Sequence, residues 1–278
     1  MKVATLGPAG TFSQLAAEKY IEMHRLQGED RAEIVLYSHL QRCLQALPNE
    51  VQRVVVPIEN VSEGFVPVVL DYLVDANLQI THELHLPIAF HACANVQQRA
   101  DIRRLYVQFV ARGQCREFVE SLGNIEIIPT QSNIESLQLA EAHGEGAAAI
   151  IPAHFLAQLT TQQSTRMRWQ QHNVHDYAHN ETRFIVLASG AVPRGANGTK
   201  TSLMVVNHDD RPGLLEKVLH CFSTRKLNLT SIVSRPTGQG FGHYHFFIDV
   251  QSDMQNIAMQ GALQAVAQLA RLKVLGCY

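Results

Sequence analysis

Thr182 and Arg183 stand side by side just before an apolar run, and together they could act on a leaving oxygen. A hydroxyl can donate a hydrogen bond to a departing oxygen while a neighbouring guanidinium holds an anion. The same residue types also have a structural interpretation, with Thr182 as a β-branched strand residue and Arg183 in a salt bridge. Taken without their context, the two side chains favour this structural interpretation.

The segment Gly7–Ser13 could bind an anion, because two glycines and the hydroxyl residues Thr11 and Ser13 lie between a predicted strand and a predicted helix. Backbone N–H groups at a helix N-terminus are free to bind anions, and the helix dipole strengthens the attraction. Glycine allows the backbone to approach a ligand closely. An ordinary strand-to-helix turn accounts for these residues equally well.

A third polar segment, 57–64, follows a predicted buried strand and contains Asn60 and Ser62. In open α/β sheets, ligands bind beyond the carboxyl ends of the strands, which is where this segment lies. Asn and Ser are also common N-cap residues, so a capped turn is the alternative interpretation.

These segments are positioned by strands that alternate with helical patterns up to residue 188. Such alternation predicts an α/β domain with a largely parallel sheet. The predicted strands are 2–6, 51–58, 80–86, 89–94, 104–106, 125–128, 147–151 and 182–188. The predicted helices are one that follows the 7–13 turn and ends near residue 23, then 66–73, 113–122 and 132–143.

The pattern restarts after residues 190–199, where three glycines, a proline and an asparagine predict a linker. The strands predicted beyond it are 201–207, 228–234, 242–250 and 271–275, and the helices are 213–225 and 253–270. This β-α-β-β-α-β order is that of a ferredoxin-like module.

Composition predicts a globular chain of about two domains. The 278 residues are 46% hydrophobic and 17% charged, with a formal net charge of −2. These values exclude a disordered chain and argue against a dedicated nucleic-acid-binding protein. The apolar runs are far shorter than the ~20 residues of a membrane helix, and the N-terminus lacks signal-peptide character. We therefore expect no nucleic-acid or membrane partner and a cytoplasmic location.

Neither a disulfide framework nor a metal site is expected. The five cysteines are widely spaced and form no C-x-x-C pair. The histidines cluster at 172–179 without the carboxylate-flanked spacing of a zinc-binding helix.

In their order along the chain, the three segments resemble the prephenate dehydratase family. Gly7–Ser13 is similar to the family's G-P-x-G-T-F-S, and residues 57–64 are similar to its P-I-E-N-S-x-E-G. Thr130–Ser132 matches a polar turn that opens a helix. Asn173–Phe184 resembles the segment that ends in the family's catalytic T-R-F triplet.

The C-terminal module is similar to an ACT domain, the small-molecule sensor of these enzymes. Pro212–Leu215 matches its P-G-A-L segment, and Asn228–Pro236 matches its N-L-T-K-I-E-S-R-P segment. The resemblance therefore covers nearly the whole chain.

The resemblance implies an enzyme that converts prephenate to phenylpyruvate, CO2 and water in L-phenylalanine biosynthesis. Thr182 matches the family's essential threonine and is expected to donate a hydrogen bond to the leaving hydroxyl. Arg183 either binds an anion or braces the site, and Phe184 forms a wall. No metal or organic cofactor is required. The residues expected to bind substrate are Thr11, Ser13, Asn60, Ser62 and Ser132.

For the catalytic region, residues 1–189, the resemblance implies a two-lobed α/β fold like that of periplasmic binding proteins. The active site then lies in the cleft, and closure of the cleft excludes water. The expected lobes are 1–79 with 177–189, and 80–176; the linker 190–199 and the ACT domain 200–278 follow.

An ACT domain implies feedback by phenylalanine, bound at the interface of a homodimer or of a tetramer built from it. The residues that match the two walls of that effector site are Gly213, Leu214 and Leu215 on one side and Ser234, Arg235 and Pro236 on the other. Leu214 replaces an alanine and Val233 replaces a glutamate of the family pattern.

Two departures in the catalytic region keep other functions open. Val61 stands where the family has serine, and Val107–Val110 replaces its S-H-P-Q segment, although Gln114 and Cys115 remain. One alternative is a non-catalytic sensor of an aromatic ligand with the same fold, and another is a related lyase on a prephenate-like substrate. The retained Thr182 argues for dehydration.

Overall fold

The part of the chain that the structure describes forms three β-sheets with helices packed on their faces. The computed structural model describes residues 1–25, 32–155, 167–193, 195–206 and 211–278. The strands β1 to β15 of these residues are, in chain order, Lys2–Leu6, Glu33–Tyr37, Arg53–Asn60, Gly64–Phe65, Leu78–Pro87, Phe90–Ala94, Arg104–Gln108, Glu126–Thr130, Ala147–Pro152, Trp169–Gln171, Glu181–Ser189, Thr201–Val206, Leu229–Pro236, Tyr244–Val250 and Arg271–Cys277. The helices α1 to α8 of these residues are Phe12–Arg25, Leu40–Gln45, Pro67–Asp75, Phe109–Gln114, Arg116–Ser121, Asn133–His143, Leu214–Ser223 and Ile257–Leu269.

The first sheet has the order β2-β1-β3-β11-β5, with β4 paired to β3. β1 is parallel to β2 and β3, whereas β11 is antiparallel to β3 and β5, so the sheet is mixed and the prediction of a largely parallel sheet is wrong. Helix α1 covers one face, where Ala17 and Tyr20 pack against Val55 and Phe184. Helices α2 and α3 cover part of the other face. We call this sheet and its three helices the first lobe.

The second sheet has the order β10-β6-β9-β7-β8. Cys115 and Phe118, from the α4–α5 region, pack on one face, and Leu137 of α6 packs on the other. We call this sheet with α4–α6 the second lobe. The single helix predicted over 113–122 is wrong: two short helices meet at Cys115, whose backbone is not helical (φ −128°, ψ 37°). The first of them begins earlier than predicted, because the Gln108 side chain accepts hydrogen bonds from the N–H groups of residues 110 and 111.

The chain crosses between the lobes later than predicted. Leu78–Pro87 pairs with β11 along its length, so the predicted lobe limit after residue 79 would cut through a strand of the first sheet. The crossing lies at Ile88, whose N–H donates to the carbonyl oxygen of Asn180 on the returning segment, at 2.8 Å. The two crossing segments therefore run side by side. The other predicted domain limits stay predictions.

Besides the two-residue strand β4, the strands β2 and β10 were not predicted. Both are at the edges of their sheets. No residue of β2 or β10 is fully buried, so neither strand has the buried apolar run of a central strand.

The C-terminal domain has the sheet order β13-β14-β12-β15, with α7 and α8 on one face, which confirms the predicted ferredoxin-like topology. Its other face packs against the first lobe: Met204 and Phe247 share one apolar core with Val56 and Leu70. Gly276 of β15 lies directly on β5, where a Cβ atom would come within 2.4 Å of a backbone oxygen.

Among the residues described, no helix is long and apolar enough to cross a membrane. The same residues contain no group of three or more His, Cys, Asp or Glu side chains arranged to hold a metal ion.

Candidate active site

Thr182 lies near the start of β11 with 8% of its surface exposed. Its neighbours across the sheet are Asn60 on β3 and Leu86 on β5. The Asn60 Nδ2 group donates a hydrogen bond to Thr182 Oγ1 at 2.8 Å. Because this bond uses only a lone pair of the hydroxyl oxygen, the Thr182 O–H remains available as a donor to a ligand.

A β-bulge places Asn60 opposite Thr182. The register of β3 and β11 shifts, so that Thr182 pairs with Asn60 but Phe184 pairs with Pro57. Proline lacks an N–H group, and an irregular position of this kind is where a central strand accepts it. Such bulges turn a side chain toward a new direction and are frequent beside active sites.

Asn60 also organises the loop that follows β3. Its Oδ1 accepts hydrogen bonds from the backbone N–H groups of Ser62 and Glu63, at 2.9 and 3.0 Å, and from the Ser62 hydroxyl at 2.7 Å. The predicted capped turn is therefore present, and it holds Ser62 and Thr182 on opposite sides of one amide.

An amide network continues from Asn60 into the second lobe. Asn60 Nδ2 lies 2.9 Å from Asn180 Oδ1, and Asn180 Nδ2 donates to Gln114 Oε1 at 2.9 Å. Gln114 Nε2 donates in turn to Glu63 Oε1 at 3.5 Å. Asn180 and Gln114 are 4% and 3% exposed. Because Gln114 belongs to the second lobe, the position of Thr182 is linked to the contact between the lobes.

Sequence reasoning did not assign Asn180 or Gln114 to the site. The available signal was that Gln114 and Cys115 persist beside the altered 107–110 segment. Burial raises the pKa of the Cys115 thiol, with a further increase from Asp176, so this neighbour stays neutral and is no thiolate nucleophile. Of these two neighbours, Gln114 belongs to the hydrogen-bond network of the site through its amide, and Cys115 supplies no nucleophile.

The Arg183 side chain points to the opposite face of β11 from that of Thr182. Successive residues of a strand point to opposite faces, and the Arg183 side chain lies on the face that the C-terminal domain covers. Its Nη1 contacts Asp249 Oδ2 at 2.5 Å, and the side chain is 7% exposed. This contact with Asp249 favours the bracing alternative for Arg183, and both predicted roles stay predictions.

Phe184 was expected to form a wall of the site. It is 2% exposed and packs beneath α1 with Tyr20 and Leu84. Phe184 is therefore a core residue. It lies two positions after Thr182 on the same face of β11, where helix α1 covers it.

Thr11 and Ser132 both sit at helix starts on facing sides of the cleft. The Thr11 hydroxyl donates to the Leu6 carbonyl oxygen at 3.2 Å, and Ser132 Oγ accepts from the N–H of Glu135 at 3.1 Å. Ser13, in the first turn of α1, is 7% exposed. These contacts are local, so no direct bond joins the three residues to Thr182.

The cleft brings the loop before α1 close to the start of α6. Gly10 has φ +80°, and a Cβ there would lie 2.6 Å from Ile134 Cδ1, so only glycine fits this approach. A cavity of about 670 Å³ is lined by Gly7 and Pro8 from one side and by Ser132 from the other. Thr182 does not line this cavity.

The predicted effector residues lie on two elements of the C-terminal domain. Gly213 caps α7 with φ 82°, Leu214 is 9% exposed in the domain core, and Leu215 packs against that core. The second group is on the edge strand β13, where Ser234 and Pro236 are exposed and Arg235 forms a two-bond contact with Asp71 of α3, at 2.8 and 2.9 Å.

Chemically, the site offers one oriented hydroxyl donor supported by neutral amides. Such an arrangement stabilises charge that develops on a leaving oxygen without itself transferring a proton. It suits elimination of a hydroxyl from a small polar substrate held between the lobes.

Comparisons with known proteins agree with this geometry. A family model described as prephenate dehydratase matches residues 3–191, and one described as ACT domain matches residues 201–268. The prephenate dehydratase of Bacillus subtilis is 31% identical, covering 100% of this chain and 98% of that protein. A solved prephenate dehydratase from Staphylococcus aureus has a TM-score of 0.83 at 27% identity and covers 100% of both chains. One from Arthrobacter aurescens, solved in complex with L-Phe, has a TM-score of 0.79 at 29% identity and covers 100% of this chain and 90% of that one.

Proposed function

The chain belongs to the prephenate dehydratase family, and from this premise we propose that Thr182, held by Asn60, donates the hydrogen bond that the leaving hydroxyl of prephenate requires. The reaction converts prephenate to phenylpyruvate, CO2 and water. The observation that carries the proposal is the 2.8 Å contact from Asn60 Nδ2 to Thr182 Oγ1.

The reaction needs little covalent chemistry from the protein. The ring carboxylate leaves as CO2, its bonding electrons enter the ring, and the C–O bond to the hydroxyl breaks with uptake of one proton to give water. Formation of the aromatic ring drives the step. The protein has to hold two carboxylates, stabilise the departing oxygen and exclude water.

Thr182 acts as a hydrogen-bond donor and not as a proton donor, because a neutral threonine is a poor acid at pH 7. The N–H of Asn60 points into the hydroxyl oxygen, which both orients the O–H and polarises it. The O–H bond of Thr182 is therefore already oriented when the leaving oxygen of the substrate binds.

The carboxylates of prephenate bind along the two loops that face each other across the cleft. We assign Thr11 and Ser13 at the start of α1, and Ser132 at the start of α6, to this role, together with Asn60 and Ser62 beside Thr182. The support is that Ser132 lines the cavity beside Gly7, that Thr11 lines a second cavity together with Ile134 of α6, and that helix N-termini attract anions.

L-phenylalanine is the proposed effector of the ACT domain. The support is the relative from Arthrobacter aurescens, which was solved with L-Phe, and the matching segments at Gly213–Leu215 and Ser234–Pro236. The two segments are the walls of one site if β13, an edge strand with exposed alternate side chains, pairs with a second copy. We propose a homodimer or tetramer on this basis; a cytoplasmic location stays a prediction.

The test is turnover of prephenate to phenylpyruvate by the full chain, with and without L-phenylalanine. Thr182→Val keeps the shape and removes only the hydroxyl, so we expect kcat to fall by roughly 100-fold or more. Thr182→Ser keeps the donor and is expected to retain more activity than Thr182→Val. L-phenylalanine is expected to change the rate, whereas L-alanine at the same concentration is not.

Full turnover by Thr182→Val would remove Thr182 from the mechanism. Binding of prephenate by the wild type without any product would identify a sensor instead of an enzyme. A product that keeps the hydroxyl, identified by mass, would identify a different lyase.

A further inference from the structure

Arg183, the residue after Thr182, is bound by the C-terminal domain. The only hydrogen-bonded acceptor of its guanidinium among the described residues is Asp249 of β14, 2.5 Å from Nη1; Nε and Nη2 are buried without one. Asp249 is 0% exposed. Each of these charges would be costly to bury alone, so each depends on the other.

Other carboxylates approach Arg183 less closely. Glu59 Oε2 lies 3.4 Å from Nε, and Glu83 Oε2 lies 3.7 Å from Nη1. Glu83 is already paired with Lys200, whose Nζ lies 2.6 and 2.7 Å from its two oxygens. Burial by itself would lower the pKa of Arg183, but Asp249 raises it overall, so the guanidinium stays charged.

Asp249 is fixed from its far side as well. The hydroxyl of Ser202 donates to Oδ1 of Asp249, and Ser202 Oγ lies 2.7 Å from the Tyr278 hydroxyl oxygen. Burial raises the pKa of Tyr278, so this phenol stays neutral beside the carboxylate. The carboxylate therefore has one fixed orientation toward Arg183.

We propose that Asp249 of the ACT domain is a positioning residue for Thr182 and acts through Arg183. The register between β3 and β11 shifts directly after Arg183, because β3 carries one extra residue there, so the regular pairing that sets Thr182 opposite Asn60 ends at Arg183. The ion pair holds this irregular stretch from the opposite face. Without the ion pair, the Arg183 side chain turns toward water. Because Thr182 precedes it on the same strand, the resulting twist of β11 displaces the Thr182 hydroxyl.

The decisive variant is Asp249→Asn, which keeps the shape of the side chain and removes its charge. We expect kcat for prephenate to fall roughly 10- to 100-fold, while KM changes less than about threefold, because Asp249 lies outside the cleft. An unchanged kcat would overturn the proposal.

The matched control is Asp71→Asn. It breaks a different ion pair between the same two domains, Arg235 with Asp71, whose carboxylate side chain is 50% exposed. We expect a kcat within about twofold of the wild type, since exposed ion pairs contribute little. A loss equal to that of Asp249→Asn would mean that any loosening of the domain contact lowers kcat, and the specific role would fail.

A double-mutant cycle tests whether Asp249 acts through Arg183. In an Arg183→Gln background, Asp249→Asn is expected to lower kcat no further. Independent losses that multiply in the double variant would contradict the proposal. Should Asp249→Asn fail to fold, Ser202→Ala removes one hydrogen bond to Asp249 and keeps both charges; we expect about a threefold fall in kcat, and wild-type kcat would overturn the idea.

This inference rests on the proposed role of Thr182, and the two can fail separately. Full turnover by Thr182→Val would overturn the proposed function whatever Asp249 does. Loss of turnover in Thr182→Val with wild-type kcat in Asp249→Asn would overturn only the positioning role.

Discussion

Asn60 is the side chain on which the candidate site depends most. Its Nδ2, which has two hydrogens, lies within 3.2 Å of three oxygens, including Thr182 Oγ1, and its Oδ1 accepts from three donors of the following loop. Because an amide has a donor end and an acceptor end, it can fix a hydroxyl on one strand and a turn on another. A carboxylate would offer only acceptors.

Gln114→Leu tests the contact between the lobes. The change keeps the size of the side chain but leaves Asn180 Nδ2 buried without its acceptor, which costs roughly 1–3 kcal/mol. We expect KM for prephenate to rise about 10-fold, since 1.4 kcal/mol corresponds to a factor of ten. The measurement is steady-state kinetics, together with the unfolding temperature.

The control for this variant is Gln264→Leu, because Gln264 is exposed on α8 and far along the chain from the cleft. It is expected to leave KM unchanged. If Gln114→Leu also kept the wild-type KM, the amide network would be a packing feature of the lobes and not part of the substrate site.

The C-terminal domain contacts the end of helix α3 through one lysine. Lys273 Nζ, from β15, donates to the carbonyl oxygens of Leu73, Val74 and Ala76, at 2.7, 3.2 and 2.5 Å. The last carbonyl groups of a helix have no hydrogen-bond donor within the helix, and they carry the negative end of its dipole. A lysine at this position supplies both the donors and the positive charge.

Lys273→Met removes this cap and is expected to lower the free energy of unfolding by about 2 kcal/mol. For a chain of this size the unfolding temperature should fall by roughly 4–8 °C, measured by calorimetry. Lys217→Met on the exposed side of α7 is the control and should change it by less than about 1 °C. Equal unfolding temperatures for the two variants would show that the three carbonyls do not depend on Lys273.

At the scale of the whole molecule, the catalytic and ACT domains share one apolar core. Met204, Phe247 and Leu275 from the C-terminal sheet are buried together with residues of β3 and α3. Burial of apolar surface between two sheets is the main stabilising term, so the two domains are expected to unfold together.

Gly276→Ala tests this close packing. The added methyl would lie 2.4 Å from the Ile80 carbonyl oxygen and 2.9 Å from Ile80 Cβ, and overpacking of this kind costs roughly 1–3 kcal/mol. We expect a fall in unfolding temperature of several degrees and a single transition by calorimetry. Gly195→Ala, where a Cβ meets nothing within 4 Å, is the control. Two separate transitions in the wild type would contradict the shared core.

Local patterns were enough to predict the alternation of strands and helices, the ferredoxin-like C-terminal domain and the family, and these predictions are confirmed. Apolar runs, glycine turns and motif spacing each depend on a few neighbouring residues, so they can be recognised without knowledge of tertiary contacts. The roles of Thr182 and Asn60 were predicted from the same motifs and stay predictions, since they depend on substrate.

Tertiary structure alone decided which partners these residues meet. Asn60 and Thr182 are separated by 122 positions, and Arg183 and Asp249 by 66. No local pattern specifies such pairings, because they arise from sheet register, from a bulge, and from the packing of one domain on another. The sequence alone therefore leaves open which face of β11 carries the Arg183 side chain. The packing of the C-terminal sheet on that face decides it.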